Sequence, residues 1–389
     1  MPRTQTSNNP FWQLLISLVF GVLIGLLTFA FTTGLASLNK AQENLNLLEP
    51  FHLLLAPLVF LFIYLVRRRT LFFPYKISEM SQETSSGHWS KMMTPTHFFG
   101  TLLSHSSGMS LGREGAVVLF SSGLVRLFKL TWAFWGPVAA SIGFACILGQ
   151  AWLAPVFMLE LFGFTSLLQK TLSLIGAMVA VLVTRSFGTH ALFAAIEFHD
   201  TSGFFMKLFV LFLFGVGVGF LMRYYKKLHR VLSLFFAKSN LFVRLLVVVL
   251  LMTFLYLPQF RIYQSLGLEQ FQDLNSLTGS YETGFVKLIL TLITTSLGFL
   301  GGEFIPLVFS GCFIGAAFFQ TFGLSPVLGA GFGAYILFAT GTRLKWTSFF
   351  LMLTLLGWGW WLWVLYVLSI ATSFAGEESL YRKLQIETL

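Results

Sequence analysis

The string Leu111-Gly112-Arg113-Glu114-Gly115-Ala116-Val117-Val118-Leu119-Phe120-Ser121 returns nearly half the chain later as Leu300-Gly301-Gly302-Glu303-Phe304-Ile305-Pro306-Leu307-Val308-Phe309-Ser310. Leu, Gly, Glu, Phe and Ser hold the same places in both. In each string glycine breaks a helical pattern, a glutamate follows, and an apolar segment begins. A repeat at this separation fits an internally duplicated membrane transporter. The alternative is a chance match of short Gly- and Phe-rich strings. The shared glutamate weighs against chance, because charge is scarce here.

How scarce is shown by the composition: 56% of the residues are hydrophobic and only 10% are charged. An ordinary soluble domain carries about 25% charge. Apolar runs recur at Phe11 to Leu35, Phe51 to Val66, Phe204 to Met222, Leu241 to Leu257, Phe285 to Leu300 and Thr347 to Ile370. A spanning helix needs about 20 apolar residues, and this spacing predicts roughly ten to fourteen membrane segments. Met1 to Pro10 is polar, holds one Arg, and has no small-residue cleavage site downstream. The first apolar run is therefore expected to be a retained helix and not a signal peptide.

A carboxylate at membrane depth costs at least about 2.5–3.5 kcal/mol and by default marks an ion path or proton relay. Each glutamate stands where a helix restarts. The amides of a restarting helix are outside its hydrogen-bond ladder and carry its positive dipole end, so they make an anion site. The expected donors lie near Gly115 and Ala116 in the first string and near Phe304 and Ile305 in the second. Pro306 suits a first helical turn, where its missing N–H does no harm. Glu114 is itself an anion: ionised it occupies such a site, and protonated it leaves. Proton and anion then compete through one side chain. The competing reading is a glutamate that only caps a helix.

The net charge of +10 raises nucleic-acid binding, but the arrangement of the basic residues argues for membrane topology. Arg67, Arg68 and Arg69 close one apolar pair, and Arg223, Lys226, Lys227 and Arg230 follow another. The segments Lys40 to Pro50 and Gly188 to Gly203 hold Glu43, Glu49, Glu197 and Asp200 with one Lys. The positive-inside rule puts the basic segments and both termini in the cytoplasm, with the acidic segments outside.

No metal-ligand cluster, nucleotide loop or nucleophile motif emerges, and no catalytic residue or cofactor is expected. Ser104 or Ser106 with His105 is the one hydrolase-like grouping. Adjacent helical residues point about 100° apart, which is poor geometry for a triad. His97 and His105 read as pH-sensing groups or as hydrogen-bonded packing residues. Cys146 and Cys312 read as inert core residues. Ser107-Gly108-Met109 and other glycine spacings are expected to allow close helix approach.

The strings resemble the signatures of the CLC family of anion channels and anion/proton antiporters. Gly112 to Gly115 is similar to its GREGP run, with Ala116 in the proline place. Gly301 to Pro306 is similar to GGxFxP, and Gly149 to Glu160 to GxPxAGxxFxLE. Tyr381 sits where the family has an anion-coordinating tyrosine. Within the family the chain is most similar to the bacterial CLC-type fluoride/proton antiporters. Phe98-Phe99-Gly100-Thr101 and His105 resemble their approach to the gate, and Glu303 matches their GGE glutamate.

The resemblance implies an all-α integral membrane fold, an inverted-repeat bundle of roughly ten to eighteen tilted and broken helices in two antiparallel halves, residues 1–203 and 204–389. It implies a homodimer in the cell (inner) membrane that moves fluoride, or chloride, against protons. Glu114 is implied as the gate and Glu303 as proton carrier. Gly112, Arg113, Gly115, Phe304, Ile305 and Tyr381 are implied around the anion.

Two departures bear on the substrate. Glu160 is followed by Leu161 where chloride/proton antiporters carry an internal proton-transfer glutamate. The GSGIP loop, whose serine coordinates chloride, is replaced by Phe72-Phe73-Pro74-Tyr75-Lys76. Tyr75 offers a hydroxyl there, or is an interfacial aromatic beside a basic segment. Both departures suit the fluoride branch; the loss after Glu160 also suits a passive channel.

Overall fold

A computed structural model describes residues 9–44, 49–69, 92–163, 165–188, 203–267, 278–356 and 365–373. Most of these residues are helical, with no strand among them beyond one isolated bridge. Helices α1 (Pro10–Asn44), α2 (Glu49–Arg69), α3 (Met93–Ser106), α4 (Glu114–Leu127), α5 (Trp132–Leu148), α6 (Leu153–Phe162) and α7 (Leu167–Ser186) come first. Then follow α8 (Phe204–Lys238), α9 (Leu241–Tyr256), a 3₁₀ turn (Pro258–Tyr263), α10 (Tyr281–Leu297), α11 (Phe304–Thr321), α12 (Pro326–Thr342) and α13 (Lys345–Leu356). Residues 365–373 are helical as well.

Among the described residues, four helices are long and apolar enough to cross a bilayer: Pro10–Lys40, Leu167–Ser186, Phe204–Lys238 and Phe304–Thr321. The last is 83% buried, against 39% for the first, so it is a core helix and not a lipid-facing one. Several apolar helices are shorter than a bilayer requires, α5, α6, α9 and α12 among them. Short helices at membrane depth are tolerated only where protein surrounds their ends.

The expected apolar span Phe204 to Met222 does not stop at its basic cluster. Arg223, Lys226, Lys227 and Arg230 lie on the 35-residue α8 and not in a loop. A helix of that length is about 52 Å long, beyond the roughly 30 Å hydrocarbon core, so its basic half reaches past the apolar region. The run Phe285 to Leu300 also hides a charge. Lys287 on α10 is fully buried, and its Nζ donates to the carbonyls of Tyr263 and Ser265, each at 2.9 Å. The ring of Phe309 lies 5.3 Å from that nitrogen. Two acceptors and a ring face offset the desolvation of a buried ammonium.

By backbone contacts the chain forms two compact units. One comprises Met1–Leu192, Val247–Thr253 and Phe299–Gly302; the other comprises Phe193–Leu246, Phe254–Gly298 and Glu303–Leu389. In the first, α1 and α7 pack through small residues. A Cβ on Gly25 would lie 2.9 Å from the Ala180 carbonyl, and Ser17 Oγ donates to the Leu172 carbonyl at 2.6 Å. Phe31, Phe98 and Phe120 join α1, α3 and α4 in a ring cluster with centroids about 5.5 Å apart.

In the second unit α11 and α12 touch backbone to backbone. Gly311 and Gly315 face Gly333 and Gly329, and a Cβ on any of the four would strike the facing chain. Such small-xxx-small pairs let membrane helices approach closely enough for dispersion to hold them without a hydrophobic drive. At Gly333 a Cβ would lie 2.8 Å from Gly315 Cα, and the backbone behind it has no soft atom to give. Gly333→Leu is therefore expected to destabilise by about 1–3 kcal/mol or more. In detergent its thermal midpoint falls and aggregates appear on size exclusion. Gly217→Ala, where a Cβ meets nothing within 4 Å, leaves both at wild-type values.

Gly108 has a backbone role. Its φ of 73° is the left-handed conformation that ends α3, and its N–H donates to the His105 carbonyl at 2.9 Å. Cys146 and Cys312 are free and buried.

Candidate functional site

The two repeated strings restart helices as their glycines indicate. Glu114 is the first residue of α4, and Glu303 immediately precedes α11. The first ladder bonds run from Val117 N to the Arg113 carbonyl at 3.2 Å and from Leu307 N to the Glu303 carbonyl at 3.0 Å. The amides before them, including Gly115 and Ala116 in α4 and Phe304 and Ile305 in α11, stand outside the ladder at the positive end of each helix.

In the first unit, Gly112 and Gly302 form an antiparallel bridge. Each N–H donates to the other's carbonyl at 2.6 Å. Ser104 Oγ anchors the approach to it by accepting from Leu300 N–H at 3.2 Å, while its own proton goes to the Gly100 carbonyl at 2.8 Å. Glycine is required on the second string's side: a Cβ on Gly302 would sit 2.8 Å from Gly115 N, and one on Gly301 2.9 Å from Leu111 Cβ. The bridge thus joins the two strings at non-equivalent places, since Gly302 aligns with Arg113.

The Glu114 side chain is 1% exposed. Arg113 Nε stands 3.5 Å from Glu114 Oε1, and neither carboxylate oxygen completes a hydrogen bond among the described residues. The N–H groups of Arg113 and Glu114 act on it electrostatically. Because α4 has no side-chain cap bond, the capping reading of Glu114 has no bond to rest on. An acceptor-only group with empty lone pairs in a buried place is costly, which is the condition for a group that moves or changes protonation.

The serines of the hydrolase-like grouping are engaged with backbone carbonyls. Ser104 donates to the Gly100 carbonyl and Ser106 to the Leu103 carbonyl at 2.8 Å, each on its own helix. His97 and His105 are both buried on α3.

The surroundings of Glu303 lie in the second unit and include a residue that sequence reasoning passed over. Its side chain is 31% exposed, and Oε1 is 3.5 Å from His229 Nε2. His229 comes from the basic half of α8. The imidazole is held at both nitrogens, by Ser233 Oγ at 3.2 Å from Nδ1 and by Thr295 Oγ1 at 3.1 Å from Nε2. Tyr225, one turn earlier on the same face, is buried near Glu303 with a hydroxyl that has no hydrogen-bond partner among the described residues. The only signal for His229 in the sequence was a histidine inside a basic cluster, read there as topology. Tyr75 and Tyr381, expected near the anion, lie outside the described residues.

Residues 74–376 match the voltage gated chloride channel family. No curated protein matches the chain in sequence. Among solved structures, the chain is similar to a CLC-type fluoride/proton antiporter at 22% identity and a TM-score of 0.78, over 94% of this chain and 95% of that one. It is similar to a slow cyanobacterial Cl⁻/H⁺ antiporter at 17% identity and 0.80, over 98% and 99%. A eukaryotic CLC transporter shares 15% identity at 0.74, over 95% of this chain and 72% of that one. These likenesses carry the all-α membrane fold. The family match covers most of the length and both glutamate-bearing strings, and the chain is a membrane protein belonging to the voltage gated chloride channel (CLC) family.

Proposed function

We propose that this protein is a fluoride/proton antiporter that exports fluoride from the cytoplasm, driven by inward proton movement. The observation that carries the reading is Glu303, a carboxylate at the start of α11 where the family's second signature usually has an apolar residue. Leu161 after Glu160 removes the usual internal proton acceptor, so a second carboxylate is needed elsewhere. The missing serine of the GSGIP loop points away from chloride. One of the similar solved structures is that of a fluoride/proton antiporter.

In this reading Glu114 is the outer gate, moving between solution and the anion site as it loses and gains a proton. Glu303 takes protons near the centre and passes them inward. Fluoride is small and strongly hydrated, so a site that strips its water must return strong hydrogen bonds. Amides beside Phe304 and Ile305, with the hydroxyl of Tyr381, provide them; Gly112, Arg113 and Gly115 are the anion-binding residues of the first string. Phe ring edges add positive quadrupole density. Residues 1–203 and 204–389 form the two halves, the protein is a homodimer, and both termini are cytoplasmic.

A chloride or nitrate transporter or channel of the same family is the second reading, favoured by the equal likeness to a chloride/proton antiporter. Purified protein in liposomes separates them: ion electrodes compare fluoride and chloride efflux while proton flux is recorded. Fast fluoride efflux with opposite proton flux and little chloride is expected. Robust chloride efflux with little fluoride overturns the fluoride reading.

A further inference from the structure

The proposed function gives Glu303 a proton to pass inward but names no group to receive it. One stands in contact with it. His229 is 7% exposed, and its Nε2 lies 3.5 Å from Glu303 Oε1. The ring is not loosely placed: Ser233 and Thr295 hold its two nitrogens at 3.2 and 3.1 Å. Thr295 Oγ1 also reaches the Thr291 carbonyl at 2.9 Å and the Leu292 carbonyl at 3.3 Å. Its proton can turn toward a neutral Nε2 or toward those carbonyls, so its oxygen accommodates the ring in either protonation state.

We propose that His229 is a proton-relay residue that exchanges protons between Glu303 and the cytoplasmic side. The inference rests on the reading of Glu303 as a proton carrier. Protonated Glu303 and neutral His229 become carboxylate and imidazolium: the Oε1–H bond breaks, the Nε2–H bond forms, and total charge is unchanged. The imidazolium then gives one proton to water at the basic end of α8 and returns to neutral. Imidazole suits this step because its ordinary titration range brackets cytoplasmic pH.

The groups that face His229 support a relay and not a locked ion pair. Glu303 comes from the start of α11, Thr295 from α10, and Tyr225 and Ser233 from one turn either side on α8. Lys226, three residues before His229 on α8, donates to the Thr340 carbonyl of α12 at 2.8 Å. Lys227 and Arg230 are exposed on other faces. The carboxylate is left to interact with the imidazole, and at 3.5 Å with 31% exposure the pair is loose enough to part.

The test uses full-length protein in liposomes, with fluoride and proton fluxes recorded together over a range of internal pH. His229→Gln keeps a hydrogen-bonding side chain of similar reach but cannot carry a proton. It is expected to lower proton flux about 100-fold, the lower end of what positioned proton-transfer groups contribute. It also flattens the dependence of proton flux on internal pH between about 5 and 8, where an imidazole titrates. Wild-type proton flux with an unchanged pH profile in His229→Gln, alongside an uncoupled Glu303→Gln, overturns the relay and leaves the Glu303 reading standing. Coupled exchange in Glu303→Gln overturns both. If His229→Gln does not fold, Ser233→Ala decides: a displaced pH profile is expected, and an unmoved one overturns the relay.

Discussion

In liposomes carrying Glu114→Gln, a proton gradient drives no uphill fluoride movement, and proton flux falls to the background of protein-free vesicles. Gln has the shape of protonated Glu and cannot ionise, so the gate stays in one state and proton coupling ends. Stability separates this from structural damage. The carboxylate is 1% exposed and makes no hydrogen bond among the described residues, so ionised Glu114 is a cost to the folded protein. Removing its charge relieves a cost of at least about 2.5–3.5 kcal/mol at membrane depth, less what the contact with Arg113 returns. The thermal midpoint in detergent should therefore hold or rise while coupling is lost. Uphill transport that survives in Glu114→Gln would falsify the gate assignment. A lower midpoint would show that the contact with Arg113 at 3.5 Å holds the helix start in place.

Glu303→Gln is expected to abolish proton flux as completely, with a different consequence for the anion. Glu114 remains able to open and close in this variant, so downhill fluoride movement continues without protons. The amides of Phe304 and Ile305 stay where the backbone puts them, since the Glu303 carbonyl and not its side chain accepts from Leu307. The measured signature is anion efflux uncoupled from pH change. Coupled exchange at the wild-type ratio would reduce Glu303 to a structural role and remove the main support for fluoride over chloride. The contrast between the variants, a gate fixed in one state for one and a gate that still moves without proton coupling for the other, tests the division of labour between the glutamates.

Much of this was legible in the chain. Scarce charge, long apolar runs and a repeated Gly–Glu string require a helical membrane protein with carboxylates at helix starts. The strings also give family membership, because glycine before a restarting helix is a local backbone requirement that sequence spacing preserves. Less legible were elements that depend on surroundings. The short helices α5, α6 and α12 fall below spanning length, and only burial by neighbours makes them possible at depth. Lys287 hid inside an apolar run because its acceptors, the carbonyls of Tyr263 and Ser265, lie on another segment. The basic cluster after Met222 read as a loop because charge ends an apolar window, although nothing in Arg or Lys ends a helix.

The sequence by itself determined the class of protein, the repeat and the identity of the two carboxylates, since each follows from residue type and spacing along one chain. Only the tertiary structure decided that Gly112 and Gly302 bond to each other, that Glu114 completes no hydrogen bond among the described residues, and that His229, held by Thr295, stands at Glu303. Such contacts join residues far apart in the chain through backbone approach and side-chain direction, and no local pattern encodes which distant group will stand opposite.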